Sequence, residues 1–418
     1  MLAHADTPGD GALDVHGLLD SITDAQRAEY NVAIATWKTA TASVPVDHAY
    51  ILGSLEGEAT YNEADSTLIT AGLTILPTTY ILRIPASWNG RLLFFAPPGF
   101  LNHLFFAPLY VEVLKKGYAL VIVHAALPGT AGFPYDQFKH GWRTHHVGAA
   151  VFSTTHMVKD LLGEAFARPL KTYALTQSGG TLFGSGLLVG RRGNPIDGYV
   201  MVTGGNGWRT ESDEHMRAYR TENRVPLTGL PTGMALPLTG AAFTRAVDTE
   251  IGFADPEYRA FILAGGGYEA LVAYDSSTRP TAVQRAWEEL TFNPDLQAPV
   301  MVIQGTADAT QYPRNSLVFT QAVIDAGRND RLRLYLVKGQ PHGPVPPFPQ
   351  QGVLDALDQM VRWVEEGGPP GDITFDNPAS YGIQVVKNHW DAGYPNDPCG
   401  YFHHQFDPEI QPPADCGL

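Results

Sequence analysis

No stretch of this sequence approaches the roughly twenty consecutive apolar residues that a membrane-spanning helix needs, and no internal repeat is evident. Positive charge is scarce, because 28 lysines and arginines face 43 aspartates and glutamates, giving a formal net charge of −15. This charge balance disfavours nucleic acid or an anionic membrane as a partner. The Gly-x-Gly-x-x-Gly fingerprint is missing after the first predicted strand, which disfavours a redox or nucleotide-dependent role.

The chain does have enough apolar material for a large core. Of its 418 residues, 44% are hydrophobic and 11% are aromatic. Its 43 glycines and 32 prolines exceed average usage, and beside so many aromatics they indicate shaped loops rather than disorder. We therefore expect a soluble globular protein.

Apolar, β-branched runs alternate with helical patterns along most of the chain. This alternation predicts an α/β fold with a mostly parallel central sheet flanked by helices. The early predicted strands lie near residues 48–53, 79–84, 91–96 and 121–123, and the later ones end at Leu175, Val202, Gly305 and Val337.

The turn around Ser178 is the most informative motif. Ser178 lies in the segment Thr-Gln-Ser-Gly-Gly, after the apolar run Tyr173–Leu175 and before a helix-like stretch. A serine on such a strand-to-helix corner is exposed as a nucleophile, and small neighbours let other groups approach it. Thr176 stands where the usual pattern has its first glycine. A plain glycine-rich turn is the alternative interpretation of the motif alone.

Two further residues follow predicted strand ends. Asp308 comes three residues after Gly305, at the end of the run Val300–Gly305, and His342 follows the run Leu332–Val337. Open parallel sheets place their chemistry at this carboxyl edge. We therefore predict a catalytic triad of Ser178, Asp308 and His342. Asp213, in the region after the preceding predicted strand, is the alternative acid.

The chain order serine, acid, histidine is that of the α/β-hydrolases, and the chain resembles a serine esterase of that superfamily. The resemblance covers about residues 45–205 and 295–367. More locally, the segment from Ile84 to Arg91 and the segment from Arg362 to Gly367 resemble the tannase and feruloyl esterase family. The resemblance implies an α/β-hydrolase fold and hydrolysis of an ester.

An oxyanion hole would complete this chemistry. One donor is expected to be the backbone N–H of Gly179, directly after the nucleophile, and the other the N–H of Phe100 in the turn after the strand near 91–96, with Gly99 as the alternative. For substrate contacts we predict Gln177, Leu101, Phe105 and Trp208. These side chains favour an apolar or aromatic ester, although such rings also commonly pack between domain and core.

The predicted domain organisation has four parts. Residues 1–45 form an N-terminal arm and helix, residues 46–205 and 295–367 form the α/β-hydrolase core, and residues 206–294 form an inserted helical lid. Residues 368–418 form a C-terminal tail rich in proline and glycine, packed on the core. Lid helices are predicted near 212–222, 256–264 and 280–291. A cap in this position would cover the triad and shape the pocket.

The tail contains the only two cysteines, Cys399 and Cys416. A local disulfide between them is the simplest interpretation, with free thiols or a zinc site that includes His403 or His404 as alternatives. A disulfide indicates an oxidising compartment, and the Ala-His-Ala sequence at residues 3–5 resembles the end of a signal-peptide cleavage site. The sequence therefore favours a secreted or periplasmic protein, with a cytoplasmic location as the alternative.

Taken together, these residues predict a serine hydrolase that cleaves a carboxylic ester through an acyl-enzyme on Ser178. The partner is a small-molecule or polymeric ester, and the predicted chemistry requires no cofactor and no metal. The same triad could cleave an amide, C–C or polyester bond, and a catalytically silent binding protein on the same fold is the remaining alternative.

Overall fold

The computed structural model describes a large part of the chain. The described residues are 12–14, 48–54, 57–62, 67–75, 79–85, 88–96, 107–124, 155–156, 158–159, 162–163, 169–182, 189–203, 207–217, 219–220, 236–251, 254–305, 308, 311, 313–337, 340, 342, 350–368, 370–371, 373–377 and 382–386.

Thirteen strands lie in the described part of the chain. Nine of them form one sheet in the order β1-β2-β5-β7-β6-β8-β9-β10-β11. The strands are β1 (Ala12–Asp14), β2 (His48–Ser54), β3 (Gly57–Asn62), β4 (Thr67–Ile75), β5 (Thr79–Ile84), β6 (Arg91–Ala96), β7 (Ala119–His124), β8 (Lys171–Gln177), β9 (Gly198–Val202), β10 (Val300–Gly305), β11 (Leu332–Val337), β12 (Ile373–Asn377) and β13 (Gly382–Val386).

The helices cover the sheet and fill the segment between β9 and β10. They are α1 (Ala107–Lys115), α2 (Gly179–Leu182), α3 (Trp208–Arg217), α4 (Gly240–Glu250), α5 (Pro256–Phe261), α6 (Gly267–Val272), α7 (Thr281–Glu289), α8 (Pro313–Asp325) and α9 (Gln350–Glu366). A π-helical turn, Ile262–Gly266, joins α5 to α6, and short 3₁₀ turns lie at Ser276–Thr278 and Asn329–Arg331.

Six neighbouring strands of the large sheet, from β7 through β6 to β11, run parallel. The strand β5 is antiparallel to both of its neighbours, β2 and β7. The chain passes from β6 through α1 to β7 on one side, and β8 then pairs with the other side of β6. This reversal makes the carboxyl ends of β6 and β8 a topological switch point, where open α/β sheets bind ligands.

The parallel strands are buried on both faces, as their continuous apolar sequences predict. On one face, Leu93 and Phe95 of β6 pack with α1 and α9 in one cluster of buried side chains. On the other face, Leu92 and Phe94 belong to a second cluster that includes side chains of α8. The alternation of side chains along each strand thus gives two cores with the sheet between them. The architecture is the predicted α/β-hydrolase fold.

The segment between β9 and β10 has two residues near its ends that pair with each other, and we call this pairing the neck. Gly207 and Thr291 form an isolated antiparallel bridge, so the two ends of this insertion are adjacent. The helices between them, α3 to α7, pack on the core: Met216, Trp287 and Leu290 belong to the same buried cluster as the sheet residues Met201 and Val302. We refer to residues 208–290 as the insertion.

At the opposite edge of the sheet from the strand carboxyl ends, a charged cluster joins β6, β8 and α9. The guanidinium of Arg91 donates two hydrogen bonds to the carboxylate of Glu365, at 2.8 and 2.6 Å. The hydroxyl of Tyr173 donates to the same carboxylate at 2.7 Å. The two short segments that carry the local family resemblance, near residues 84–91 and 362–367, therefore meet through this ion pair.

Several elements differ from the sequence prediction. Residues 1–45 were expected to be an arm and a helix, yet residues 12–14 form β1, which pairs in parallel with β2. The hairpin β3–β4 and the helix α4 were not predicted, and neither was the hairpin β12–β13, which lies against α9 and β11. The helix predicted near 212–222 is shifted, at 208–217, whereas the one predicted near 256–264 is present as α5, at 256–261, continued by the π-helical turn Ile262–Gly266.

The strand β1 was missed because its three residues gain their hydrogen bonds from β2, which is distant in sequence, so no local period marks it. The helical backbone that begins with α5 is interrupted at Gly265 and Gly267, whose φ angles of 147° and 65° lie outside the helical region. The helix predicted within residues 1–45 lies outside the described residues.

Candidate active site

The predicted corner at Ser178 is present. The strand β8 ends at Gln177, α2 begins at Gly179, and Ser178 between them has a φ angle of 51°. A positive φ is uncommon for any residue other than glycine, and a left-handed serine between a strand and a helix matches the geometry of a nucleophile elbow. The serine is mostly buried, with 9% of its surface exposed.

Hydrogen bonds hold this corner in place. The backbone N–H of Ser178 donates to the carbonyl oxygens of Val202 at 3.1 Å and Thr203 at 3.0 Å. The Ser178 carbonyl accepts from the N–H of Thr181 at 2.9 Å. The Thr181 hydroxyl in turn donates to that of Thr176, also at 2.9 Å, and both threonines are fully buried. Thr176, which replaces the usual glycine, therefore braces the turn from the strand side.

Asp308 and His342 follow neighbouring parallel strands, as predicted. Asp308 lies three residues past the end of β10 and is 1% exposed, whereas His342 lies past the end of β11 and keeps 27% of its side chain exposed. The two loops also touch near Gly305, where a methyl group in place of the glycine hydrogen would lie 2.2 Å from the carbonyl oxygen of Gln340. This close approach fixes the histidine loop against the end of β10.

The structure brings the three residues into one hydrogen-bonded chain. Ser178 Oγ lies 2.9 Å from His342 Nε2. His342 Nδ1 lies 3.0 and 2.9 Å from the two oxygens of Asp308. A carboxylate can only accept, so Nδ1 carries a proton; in the neutral imidazole Nε2 is then an acceptor that faces the serine hydroxyl.

Asp308 has a further donor within its own loop. The backbone N–H of Gln311 donates to Asp308 Oδ1 at 2.8 Å. The sequence did not single out this contact, nor the buried Gln304 beside it. The available signal was a polar side chain in the otherwise apolar run Val300–Gly305.

The other predicted site residues fall into three groups. Gly179 begins α2 directly after the serine, and Gln177 is 3% exposed at the end of β8. Asp213, the alternative acid, lies exposed on α3, and Trp208 begins that helix. Outside the described residues lie Phe100, Gly99, Leu101, Phe105, His403, His404, Cys399 and Cys416, so the second oxyanion donor, the disulfide and its alternatives stay predictions.

The described residues contain neither a membrane-spanning helix nor a cluster of metal-binding side chains. No helix there is long and apolar enough to cross a bilayer. In the same part of the chain, no group of three or more histidine, cysteine, aspartate or glutamate side chains is placed to hold a metal ion.

No protein-family model matches the chain, and no curated protein matches it. Among solved structures it is similar to feruloyl esterase B from Aspergillus oryzae, with 14% identity, a TM-score of 0.45 and coverage of 85% of this chain and 95% of that one. Tannin acyl hydrolase from Aspergillus niger gives 14% identity, a TM-score of 0.46 and coverage of 84% and 91%. A thermophilic esterase from the Planctomycetes species Thermogutta terrifontis gives 14% identity and a TM-score of 0.40, with coverage of 74% of this chain and 93% of that one.

Proposed function

We propose that this protein is a serine hydrolase that cleaves a carboxylic ester. The observation that carries the proposal is the hydrogen-bonded chain from Ser178 Oγ through the His342 imidazole to the Asp308 carboxylate. The left-handed φ of Ser178 adds independent support, because it presents the hydroxyl at the carboxyl edge of the sheet, beside the switch point.

The proposed reaction has two halves. Ser178 Oγ attacks the ester carbonyl carbon while His342 Nε2 takes the hydroxyl proton, and the resulting tetrahedral intermediate expels the alcohol, which receives that proton. Water then attacks the acyl-enzyme with the same histidine as base, releasing the acid and restoring the serine. Asp308 holds the imidazole orientation and stabilises its charged form without itself becoming protonated. These steps use only side chains and water.

The oxyanion is proposed to bind the backbone N–H of Gly179, which follows the nucleophile at the start of α2. The N–H of Phe100 is the proposed second donor, since Phe100 follows β6 in the sequence and β6 is adjacent to β8. The insertion is proposed as the lid, and Gln177, Leu101, Phe105 and Trp208 as substrate contacts. Their chemistry favours an apolar or aromatic acyl group.

The test is hydrolysis of p-nitrophenyl esters from acetate through longer chains to aromatic acyl groups. We expect Ser178→Ala and His342→Ala to lower kcat by about 10³-fold or more, because each removes a member of the proton-transfer chain. The matched control is His156→Ala, at a histidine whose Nε2 lies 3.3 Å from the Gly193 carbonyl oxygen and which has no place in the proposed chain; it should retain activity.

Labelling with a fluorophosphonate gives a second readout that needs no substrate. We expect the wild type to be labelled at Ser178 and the alanine variant to be unreactive. Absence of both ester turnover and labelling would reject the hydrolase proposal in favour of a binding protein on this fold.

A further inference from the structure

A buried amide lies directly behind the acid. Gln304 is the last residue but one of β10 and is fully buried. Side chains alternate along a strand, so Gln304 shares a sheet face with Val302, an apolar residue of the core. A glutamine in this position must find hydrogen-bond partners, because burying an amide without them is energetically unfavourable.

Gln304 finds its partners in the loop that carries the acid. Its Nε2 lies 3.3 Å from Asp308 Oδ2, 3.0 Å from the Gln311 carbonyl oxygen and 3.2 Å from that of Gly305. All three are acceptors, so this end of the amide is the NH₂ group. On the other side, the hydroxyl of Ser316 in α8 donates to Gln304 Oε1 at 2.9 Å. The serine thereby fixes which way the amide points.

Both oxygens of Asp308 consequently have a donor besides the histidine. Oδ1 accepts from the Gln311 N–H at 2.8 Å, and Oδ2 accepts from Gln304. A carboxylate bound to the imidazole alone could rotate about its own bonds. Held by an additional donor on each oxygen, it keeps both oxygens at 2.9 to 3.0 Å from His342 Nδ1.

We infer that Gln304 is a positioning residue that aims Asp308 at His342, anchored in turn by Ser316. This inference rests on the proposed function, in which Asp308 orients and stabilises the histidine. Gln304 acts through Asp308 and is too deeply buried to contact a substrate. Its loss should therefore slow the chemical step and leave substrate binding largely unchanged.

The primary experiment measures kcat and KM for Gln304→Met on the best p-nitrophenyl ester. Methionine has a similar length and shape but no N–H group to donate. We expect kcat to fall by roughly ten- to hundredfold with KM within about twofold of wild type, as a small misplacement of a catalytic group can cause. The matched control is Val302→Ala, on the same face of β10, which removes core volume without touching the acid and should leave kcat unchanged.

A double-mutant cycle separates positioning from a general structural effect. If Gln304 acts through Asp308, then Gln304→Met should add little to the loss caused by Asp308→Ala, because residues that act as a unit are strongly non-additive. A kcat for Gln304→Met within about twofold of wild type, or an equal further loss in the Asp308→Ala background, would overturn the inference.

If Gln304→Met does not fold, Ser316→Ala replaces it, since that variant removes only the anchor of the amide. A several-fold lower kcat at unchanged KM would support the inference. An unchanged kcat would overturn it. Ser178→Ala is assayed in parallel. Activity retained in that variant rejects the proposed function itself, whereas an inactive Ser178→Ala beside a fully active Gln304→Met rejects only the positioning role.

Discussion

Ser178 and Thr203 directly follow two adjacent strands, β8 and β9, and each has the unusual φ angle of 51°. Thr203 is β-branched, so this backbone region is especially unfavourable for it, and such strain persists only where surrounding contacts enforce it. Those contacts are present: the Thr203 carbonyl accepts from Ser178 N–H, and its own N–H donates to the Ile303 carbonyl at 2.8 Å. Strain of this kind commonly clusters at functional sites.

Gly305 lies against the backbone of the segment that leads to His342, which leaves no room for a side chain at this position. In Gly305→Ala the new methyl group would lie 2.2 Å from the Gln340 carbonyl oxygen, so the backbone that leads to His342 must move. We expect a loss of about 1–3 kcal/mol in unfolding free energy and a drop of about tenfold or more in kcat. Chemical denaturation and ester kinetics measure the two effects.

The control for that change is Gly368→Ala, where a methyl group would meet no atom within 4 Å. It should unfold like the wild type and keep its activity. Wild-type kinetics for Gly305→Ala would show that the histidine loop does not depend on this contact.

At the residue scale, the sequence predicted which side chains meet but not what supports them. Ser178, Asp308 and His342 could be found because each follows an apolar strand, and parallel strands deliver their carboxyl ends to one edge. The Thr176–Thr181 bond and the Gln304–Asp308 contact were not predictable. They depend on side-chain distances across a turn and across a loop, which no periodicity encodes.

Among the elements, strands buried in the parallel sheet were predictable, whereas pieces at its margins were not. The strand β10 is a continuous apolar run bounded by a glycine, which is a strong local signal. The helix α4 has mixed composition and its N-cap residue, Thr239, makes no side-chain capping bond, so neither period nor cap marks it clearly. Its burial through Ala246 and Val247 comes from packing on the core.

The neck of the insertion provides the element-scale prediction. Gly207 has a φ angle of 92°, and a methyl group there would lie 2.1 Å from the Leu290 carbonyl oxygen. Gly207→Ala therefore combines backbone strain with a clash, and we expect it to open the Gly207–Thr291 bridge. Unfolding free energy should fall by more than about 2 kcal/mol, with faster tryptic cleavage between residues 208 and 290.

Gly240→Ala isolates the strain from the clash. Gly240 also has a positive φ, 55°, but no atom lies within 4 Å of an added methyl group. This control should cost only about 1 kcal/mol and leave the cleavage rate unchanged. Equal effects of the two variants would mean that the neck contact contributes nothing.

Over the whole molecule, the ion pair of Arg91 and Glu365 connects the start of β6 to the end of α9, residues separated by most of the core. The hydrogen bond from Arg91 lowers the pKa of Glu365, with a further contribution from the Tyr173 hydroxyl, and burial raises the pKa of Tyr173. Since the folded protein binds the glutamate proton more weakly than the unfolded chain does, this carboxylate contributes stability at neutral pH.

Because the pKa of Glu365 is lowered in the folded protein, the effect of Glu365→Gln on stability should depend on pH. The stabilisation is fully present above the ordinary pKa of a glutamate and is lost as the pH falls through the lower pKa of the folded protein. The variant should therefore be less stable than wild type by about 1 kcal/mol at pH 7, with a gap that closes in acid. Urea unfolding at several pH values measures this gap.

Asp358→Asn is the comparison for that series, because it breaks the exposed pair of Asp358 with Lys116. It should change stability by less than about 0.5 kcal/mol at any pH. A gap for Glu365→Gln that does not vary with pH would contradict the role assigned to the carboxylate charge.

The bridge between Gly207 and Thr291 also bears on how such a protein can diversify. Because the chain leaves the sheet and returns to it at adjacent residues, the insertion is one closed loop of the chain. The entropic cost of closing such a loop grows only with the logarithm of its length. A shorter, longer or unrelated segment joined at this point leaves the spacing of β9 and β10 intact. The insertion, which we propose as a lid, can therefore vary in length and fold as one unit, provided that its replacement fills the core positions of Trp287 and Leu290.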